Sequence, residues 1–172
     1  MRTHATSAQT ARRRVEAQGF TGLPDETVAG LDLALRLSPA ICMTWAAAGT
    51  ALASPAALWA LVPFALLGAI LPGHPFDVLY NHLLRHRLGT ESIPRYPRPR
   101  RFACLLASLF LMAAGGAFRA GQPAIGYAFG GSLTLAAFVN VSAGFCIPSF
   151  LYGMVFGQPR CPAPRGEKEI LQ

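Results

Sequence analysis

The chain has 172 residues, a length typical of one domain. Apolar residues make up 52% of it and only 13% are charged, against roughly 25% in soluble domains. The charges are also unevenly placed, so that long stretches carry none. This composition indicates an integral membrane protein and argues against a soluble globular domain.

The formal net charge of +7 raises the question of a nucleic-acid partner, because basic proteins gain affinity by neutralising phosphates. Here, however, the basic residues border the apolar stretches. That position is typical of side chains that contact anionic lipid headgroups and set membrane orientation. We therefore predict the lipid bilayer as a partner, and no nucleic acid.

The N-terminal region divides into two predicted segments. Residues 1–22 are polar and basic, and we expect a cytoplasmic tail. In residues 23–36 the apolar side chains Val28, Leu31 and Leu35 recur at helical spacing. This pattern predicts a short amphipathic helix on the membrane surface.

Two transmembrane hairpins follow in the predicted order of elements. Apolar stretches joined at Ser54-Pro55 are near the short end of the roughly 17–25 residues that cross a bilayer. A second pair is joined by a turn at residues 119–123. The predicted segments are hairpin 1 over 37–72, a cytoplasmic interfacial linker over 73–101, hairpin 2 over 102–156 and a cytoplasmic tail over 157–172.

The distribution of basic residues supports four spans. Fourteen of the 15 Lys and Arg residues lie in the N-terminal region, the linker or the C-terminal tail, and only Arg119 lies in a turn between paired spans. The positive-inside rule places the three basic regions in the cytoplasm. The predicted fold is thus an all-α membrane protein with four transmembrane helices in two hairpins. Interfacial amphipathic helices precede the first span and separate the second from the third.

The linker combines a predicted helix with a proline-rich strand. Pro75 suits a first helical turn and Gly89 a C-terminal cap, whereas three prolines between Ile93 and Arg101 favour an extended path. Arginines along this segment can bind lipid phosphates or carboxylates on a partner. We favour lipid, because binding to it requires only the membrane in which the protein already lies. The predicted binding residues are Arg85, Arg87, Arg95, Arg98, Arg100 and Arg101.

The fourth span carries a stripe of small and polar residues that begins with a GxxxG match. Such stripes let helices approach closely within lipid. The face can meet the protein's own helices, which we favour, or a partner subunit. Its residues are Gly126, Gly130, Ala137, Asn140 and Gly144.

Three side chains are candidate ligands. His82 and His86 are four residues apart, so they share one side of a helix and suit a transition metal or a tetrapyrrole. No ligand set of known spacing completes such a site. We therefore favour the interpretation that the two histidines contact headgroups or backbone. Cys146 is the candidate thiol. We predict no catalytic residue and no metal site, and the sequence requires no cofactor.

Three motifs, HPFDVLY, PRRFA and GFCIPSFLY, carry a family resemblance. In this order they resemble the bacterial membrane family catalogued as domain of unknown function 4395, over roughly Leu31 to Gly153. The resemblance implies four spans and a C-terminal motif of two cysteines two residues apart. This chain has Cys146 followed by Ser149, which cannot close that disulfide. A thiol-redox role for the motif is therefore in doubt.

The leading functional hypothesis is a non-catalytic accessory subunit of a larger membrane complex, photosynthetic or respiratory. It would lie in the bacterial inner membrane with both termini cytoplasmic, and would dock through helix faces and the arginine-rich linker. No charge lies well inside a span, which disfavours channels and ion-coupled transporters. The alternative is a thiol-redox, metal-binding or tetrapyrrole-binding module that uses Cys146, His82 and His86.

Overall fold

A computed structural model describes residues 9, 11–16, 25–71, 73–84 and 95–157. These residues contain helices and no strand, which confirms the all-α prediction. A helical segment at residues 11–16 precedes six labelled helices. They are α1 (Asp25–Ala51), α2 (Pro55–Ile70), α3 (Pro75–Leu79), α4 (Arg98–Arg119), α5 (Pro123–Ala143) and α6 (Ile147–Phe156).

Helix α1 runs without a break across the boundary predicted between the surface helix and the first span. Pro39 lies inside it and has no N–H, so the carbonyl of Leu35 loses its usual helical donor. Nη2 of Arg100 replaces that donor at 2.8 Å. The helix continues because a side chain from another helix satisfies the carbonyl that proline leaves unpaired.

The helices pair as antiparallel neighbours, with the α1–α2 and α4–α5 turns at the same end of the bundle. A Cβ added at Gly130 of α5 would lie 2.7 Å from Cγ2 of Thr50, near the end of α1. A Cβ at Gly115, near the end of α4, would lie 2.7 Å from Cδ1 of Trp59 in the first turns of α2. Glycine at both positions lets the helices approach.

Hydrogen bonds from arginines tie the helices together at the opposite end. Nη1 of Arg36 in α1 donates to the carbonyl of Val141 in α5 at 3.0 Å. Arg101 in the first turn of α4 donates to the carbonyls of Ala69 and Ile70, at 2.8 and 2.6 Å. These two carbonyls lie in the last turn of α2 and have no partner within their own helix.

By length and composition, two helices of the described chain can cross a membrane, namely α4 and α5. Helix α2 and the segment Pro75–His82 together form a third candidate, with a bend of 74° between them. The described residues therefore contain two or three candidate membrane spans, which indicates that the protein associates with a membrane. Over the most apolar part of α5 only 11% of the residues are buried by the protein itself.

The structure differs from the predicted tail and linker in two respects. Residues 11–16, expected in a solvated tail, are helical, and Val15 is fully buried in a cluster with Val28, Leu35, Tyr80 and Tyr96. Helix α4 begins at Arg98, inside the stretch predicted to be extended. Proline is tolerated in a first helical turn, where its missing N–H would be unpaired anyway.

Candidate functional site

A cavity of about 140 Å³ lies between α1, α2, α4 and α5. Much of its wall is apolar and consists of leucine and alanine side chains. Its polar and thiol-bearing side chains come from distant parts of the sequence. They are Ser38, Cys42, His74, Tyr96, Arg100, Cys104, Asn140 and Cys146.

His74 is positioned by the start of α3. It is the N-cap residue, and its Nδ1 accepts a hydrogen bond from the backbone N–H of Phe76 at 3.4 Å. A neutral imidazole whose Nδ1 accepts carries its proton on Nε2. Nε2 lies 3.8 Å from Sγ of Cys42, so the ring donates toward that sulfur and cannot take its proton.

The imidazole of His74 is uncharged around neutral pH. Burial lowers its pKa to about 4, because an imidazolium in this position would lose its hydration. The positive charge of Arg100 also lowers the pKa, while the carboxylate of Asp77 raises it. Removal from water dominates, so His74 stays a neutral hydrogen-bond donor.

A second polar contact joins α3 to α1. The hydroxyl of Ser38 donates a hydrogen bond to Oδ1 of Asp77, and each of these residues is only 2% exposed. A buried carboxylate is costly unless hydrogen bonds and opposite charge stabilise it. Ser38 supplies the first, and Arg100 supplies the second through an electrostatic interaction with Asp77.

Arg100 and Tyr96 form the wall of the cavity next to His74. The guanidinium carbon of Arg100 lies 4.5 Å from the centroid of the Tyr96 ring, and both residues are buried. Burial raises the pKa of Tyr96 well above its ordinary value, so its hydroxyl stays protonated. The polar end of the cavity thus combines a guanidinium, a phenol and a neutral imidazole.

Three free cysteines share this cavity. Cys104 interacts electrostatically with both Cys42 and Cys146. Gly68 of α2 makes room for this arrangement, since a Cβ there would lie 3.1 Å from Sγ of Cys104 and 2.6 Å from Cδ2 of His74. Three thiols therefore line one cavity.

A metal centre has no support in the part of the chain that the structure describes. No group of three or more His, Cys, Asp or Glu side chains there is arranged to hold a metal ion. The thiols and the imidazole line the same cavity, but they are not arranged as ligands around one metal ion.

The model of a known family matches residues 32–156, more than half of the chain. The protein belongs to the family of domain of unknown function 4395. This confirms the resemblance drawn from the three sequence motifs. Comparisons with curated proteins and with solved structures find no match. The matched region of the 4395 family includes every residue that lines the cavity.

The arginines predicted to bind lipid or a partner lie in different environments. Arg95 and Arg98 are exposed, as surface contacts require. Arg100 is 5% exposed and donates into α1, and Arg101 donates to the last turn of α2. These two hold helices together inside the protein. The remaining two predicted arginines, Arg85 and Arg87, lie outside the described residues.

The predicted packing stripe faces the protein's own helices. Gly126 contacts Phe118 across the α4–α5 turn, and Gly130 contacts Thr50 of α1. Ala137 and Asn140 line the cavity. Gly144 caps α5 in the left-handed conformation, at φ 70°.

The three candidate ligands lie in different environments. His82 is exposed, its Nδ1 lies 2.9 Å from the carbonyl oxygen of Val78, and it does not line the cavity. His86 lies outside the described residues. Cys146 is 7% exposed and lines the cavity immediately before α6.

Sequence reasoning missed the two residues that complete the thiol cluster, since Cys42 and Cys104 resembled ordinary small buried side chains. It also did not place His74 and Asp77 beside these thiols, although both lie in the motif HPFDVLY. One signal was available. In a four-span arrangement, Cys42, Cys104 and Cys146 all lie near the ends of spans on the same side of the membrane.

Proposed function

We propose that this protein spans the bacterial inner membrane four times, as two hairpins, with both termini and the linker in the cytoplasm. Helices α4 and α5 meet the requirements for spans, and α1 and α2 are paired with them in the same antiparallel manner. The two short turns lie at one end and the arginine contacts at the other. The charge asymmetry of the sequence supports placing the arginine end inside.

We further infer that the cysteines that line the cavity carry out thiol–disulfide redox chemistry. The convergence of Cys42, Cys104 and Cys146 on one cavity beside a buried histidine carries this proposal. The reactive thiols differ from those of a two-cysteine motif, because Ser149 occupies the position of the second cysteine.

Cys104 and Cys146 are the reacting pair. When they lose two electrons and two protons to an acceptor, an S–S bond forms between their sulfur atoms. Cys104 interacts electrostatically with Cys146. The Cys42 thiol interacts electrostatically with Cys104 and Asp77, which makes Cys104 the partner of Cys146. The chain thereby uses a thiol from α4 where a two-cysteine motif would use its own second cysteine.

The experiment equilibrates the full-length protein, purified in mild detergent, with glutathione buffers of graded potential. Free thiols are alkylated and disulfides are located by mass spectrometry. Cys161, which lies outside the described residues, is replaced by serine in every variant so that it cannot form a disulfide. We expect one disulfide, lost in Cys104→Ser and kept in the matched control Cys42→Ser. Failure to form a disulfide at any potential, or its persistence in Cys104→Ser, contradicts the proposal.

The second candidate function is the accessory subunit of a photosynthetic or respiratory complex. The exposure of Arg95 and Arg98 beside the buried Tyr96 favours it, because these two charges are available to a partner or to lipid. Extraction in mild detergent tests this role. Co-purification with a large haem-bearing or pigmented complex, lost on Arg95→Gln and Arg98→Gln substitution, supports it. A monodisperse lone protein contradicts it.

A further inference from the structure

The cavity that holds the three cysteines has a polar end and an apolar remainder. Leu61, Leu111 and Leu133 line the apolar part. His74 and Arg100 lie at the polar end. A ligand that fills this space therefore combines an apolar body with a polar group at one edge.

The polar end presents hydrogen-bond donors. His74 carries its proton on Nε2, and a guanidinium has donors and no acceptor. The phenol of Tyr96 keeps its proton and donates it to Asp77, so the donors for a ligand are those of His74 and Arg100. The complementary group on the ligand is a hydrogen-bond acceptor, such as a carbonyl oxygen.

The charge of the surroundings selects an uncharged ligand. Arg100 and Asp77 have opposite formal charges and interact with each other, and His74 is neutral. An added ion would leave this buried cluster with an uncompensated charge, which is costly away from water. A neutral molecule adds none.

The size of the cavity limits the ligand to about one ring. An engineered apolar cavity of about 150 Å³ in another protein binds benzene, so a volume of about 140 Å³ accommodates a single six-membered ring, and substituents on the ring extend through the open side of the cavity. A tetrapyrrole, with four pyrrole rings, is too large. The hydrocarbon tail of a lipid lacks the hydrogen-bond acceptor that the donors require.

We propose that the cavity binds the headgroup of a quinone, a neutral ring with carbonyl acceptors that is soluble in the bilayer. This inference rests on the proposed thiol chemistry, for which the quinone is the electron acceptor. Cys104 and Cys146 lose two electrons and two protons as their S–S bond forms. The quinone takes up both electrons and both protons and becomes the quinol. His74 is a positioning residue: when the quinone binds, its Nε2–H donates to a quinone carbonyl instead of to Sγ of Cys42, which lies 3.8 Å away.

Binding is tested with decylubiquinone, whose fully substituted ring disfavours arylation of the thiols. Quenching of tryptophan fluorescence is the readout, because Trp45 packs against the cluster of side chains that borders the cavity. We expect saturable quenching in the wild-type protein in detergent. Ala137→Leu fills the cavity and abolishes it, whereas Ala128→Leu, at an exposed position of the same helix, does not. Ala107→Leu provides a second filled cavity on α4 if Ala137→Leu does not fold.

The donor is tested with His74→Asn. Asparagine preserves the N-cap of α3 but lacks the Nε2–H group. We expect about a tenfold weaker affinity for decylubiquinone, the effect of losing one net hydrogen bond. Quenching that is equal in wild type, Ala137→Leu and Ala128→Leu reflects partition into detergent alone and overturns the proposal.

Electron transfer separates this inference from the proposed function. Anaerobic mixing of the reduced protein with decylubiquinone should yield one quinol per disulfide, measured by absorbance and mass spectrometry. A variant with all four cysteines replaced by alanine should bind the quinone and leave it oxidised. If glutathione buffers form the disulfide but the quinone neither binds nor is reduced, the thiol function stands and the quinone proposal falls.

Discussion

At the residue scale, His74 shows how a local backbone requirement determines the chemistry of a side chain. Its Nδ1 is used as the N-cap of α3, so only Nε2 faces the cavity as a donor. Burial then keeps the ring neutral. One residue therefore starts a helix and supplies a hydrogen-bond donor to a neighbouring thiol.

The stability contributed by this neutral histidine depends on pH. Unfolded His74 takes up a proton near pH 6.5, whereas folded His74 does so only near its lowered pKa of about 4. Between these values the unfolded state binds more protons, so stability falls as pH falls, by about 1.4 kcal/mol per pH unit. Below both pKa values the loss no longer grows.

Thermal unfolding of the wild type and His74→Asn, measured from pH 7.5 to pH 4, tests this. The carboxylates titrate in both proteins, whereas only the wild type has the histidine. We expect the advantage of the wild type to shrink as pH drops through this window. Parallel curves would show that His74 is not buried as the structure has it.

Adjacent glycines in α5 give a second prediction at this scale. A Cβ at Gly130 would collide with the side chain of Thr50, which is 7% exposed, while a Cβ at Gly131 meets nothing within 4 Å. We expect Gly130→Ala to lower the free energy of unfolding by about 1–3 kcal/mol. Gly131→Ala should be neutral or stabilising by about 0.5–1 kcal/mol. Thermal melts in detergent measure both, and equal effects would contradict the α1–α5 contact.

At the scale of the helix, α1 depends on α4 for a hydrogen bond that its own backbone cannot make. Pro39 removes the donor to the carbonyl of Leu35, and Arg100 replaces it. The contact explains why α1 continues through a sequence that favours a break. It also places a guanidinium beside the cavity.

A double-mutant cycle tests that replacement. In the wild-type background, Arg100→Gln should cost about 1.5–3 kcal/mol, the range for hydrogen bonds to charged groups. Pro39→Ala restores the backbone donor, so the same substitution should cost less in that background, with a coupling of about 1 kcal/mol or more. Arg98→Gln, at an exposed position, is the matched control and should change little. Additive effects of the two substitutions would contradict the role given to Arg100.

At the scale of the whole molecule, large apolar side chains cover the outside of the helices. Half or more of the side-chain surface of Leu109, Leu135 and Phe138 is exposed. In water such a surface would drive aggregation, whereas in a bilayer it needs no further partner. The polar side chains around His74, Asp77 and Arg100 are instead gathered inside.

The proposed topology predicts which positions are reached from outside the cell. In a cysteine-free background, Leu52→Cys and Gln122→Cys place thiols in the two exposed turns, and Arg95→Cys places one in the linker. A membrane-impermeant maleimide applied to intact spheroplasts should label the two turn positions only. Arg95→Cys should react after permeabilisation. Labelling of Arg95→Cys in intact spheroplasts would overturn the four-span arrangement.

Much of the fold could be predicted because apolar runs and turn residues act locally. Composition and periodicity were sufficient to predict an all-α protein with candidate membrane spans and with turns near Ser54 and Gln122. The candidate site could not be predicted in the same way. Local patterns favoured His82 and His86 as ligands, yet His82 is exposed and lies away from the cavity.

The sequence by itself determined the class of protein, its family and the distribution of its charges, because hydropathy and basic residues can be counted along the chain. Only the tertiary structure decided that Cys42, Cys104 and Cys146 meet beside His74, and that Arg100 and Arg101 bind backbone carbonyls inside the protein. The physical reason is that these contacts join residues far apart in the chain. Their partners depend on how the helices pack, and no local spacing records that packing.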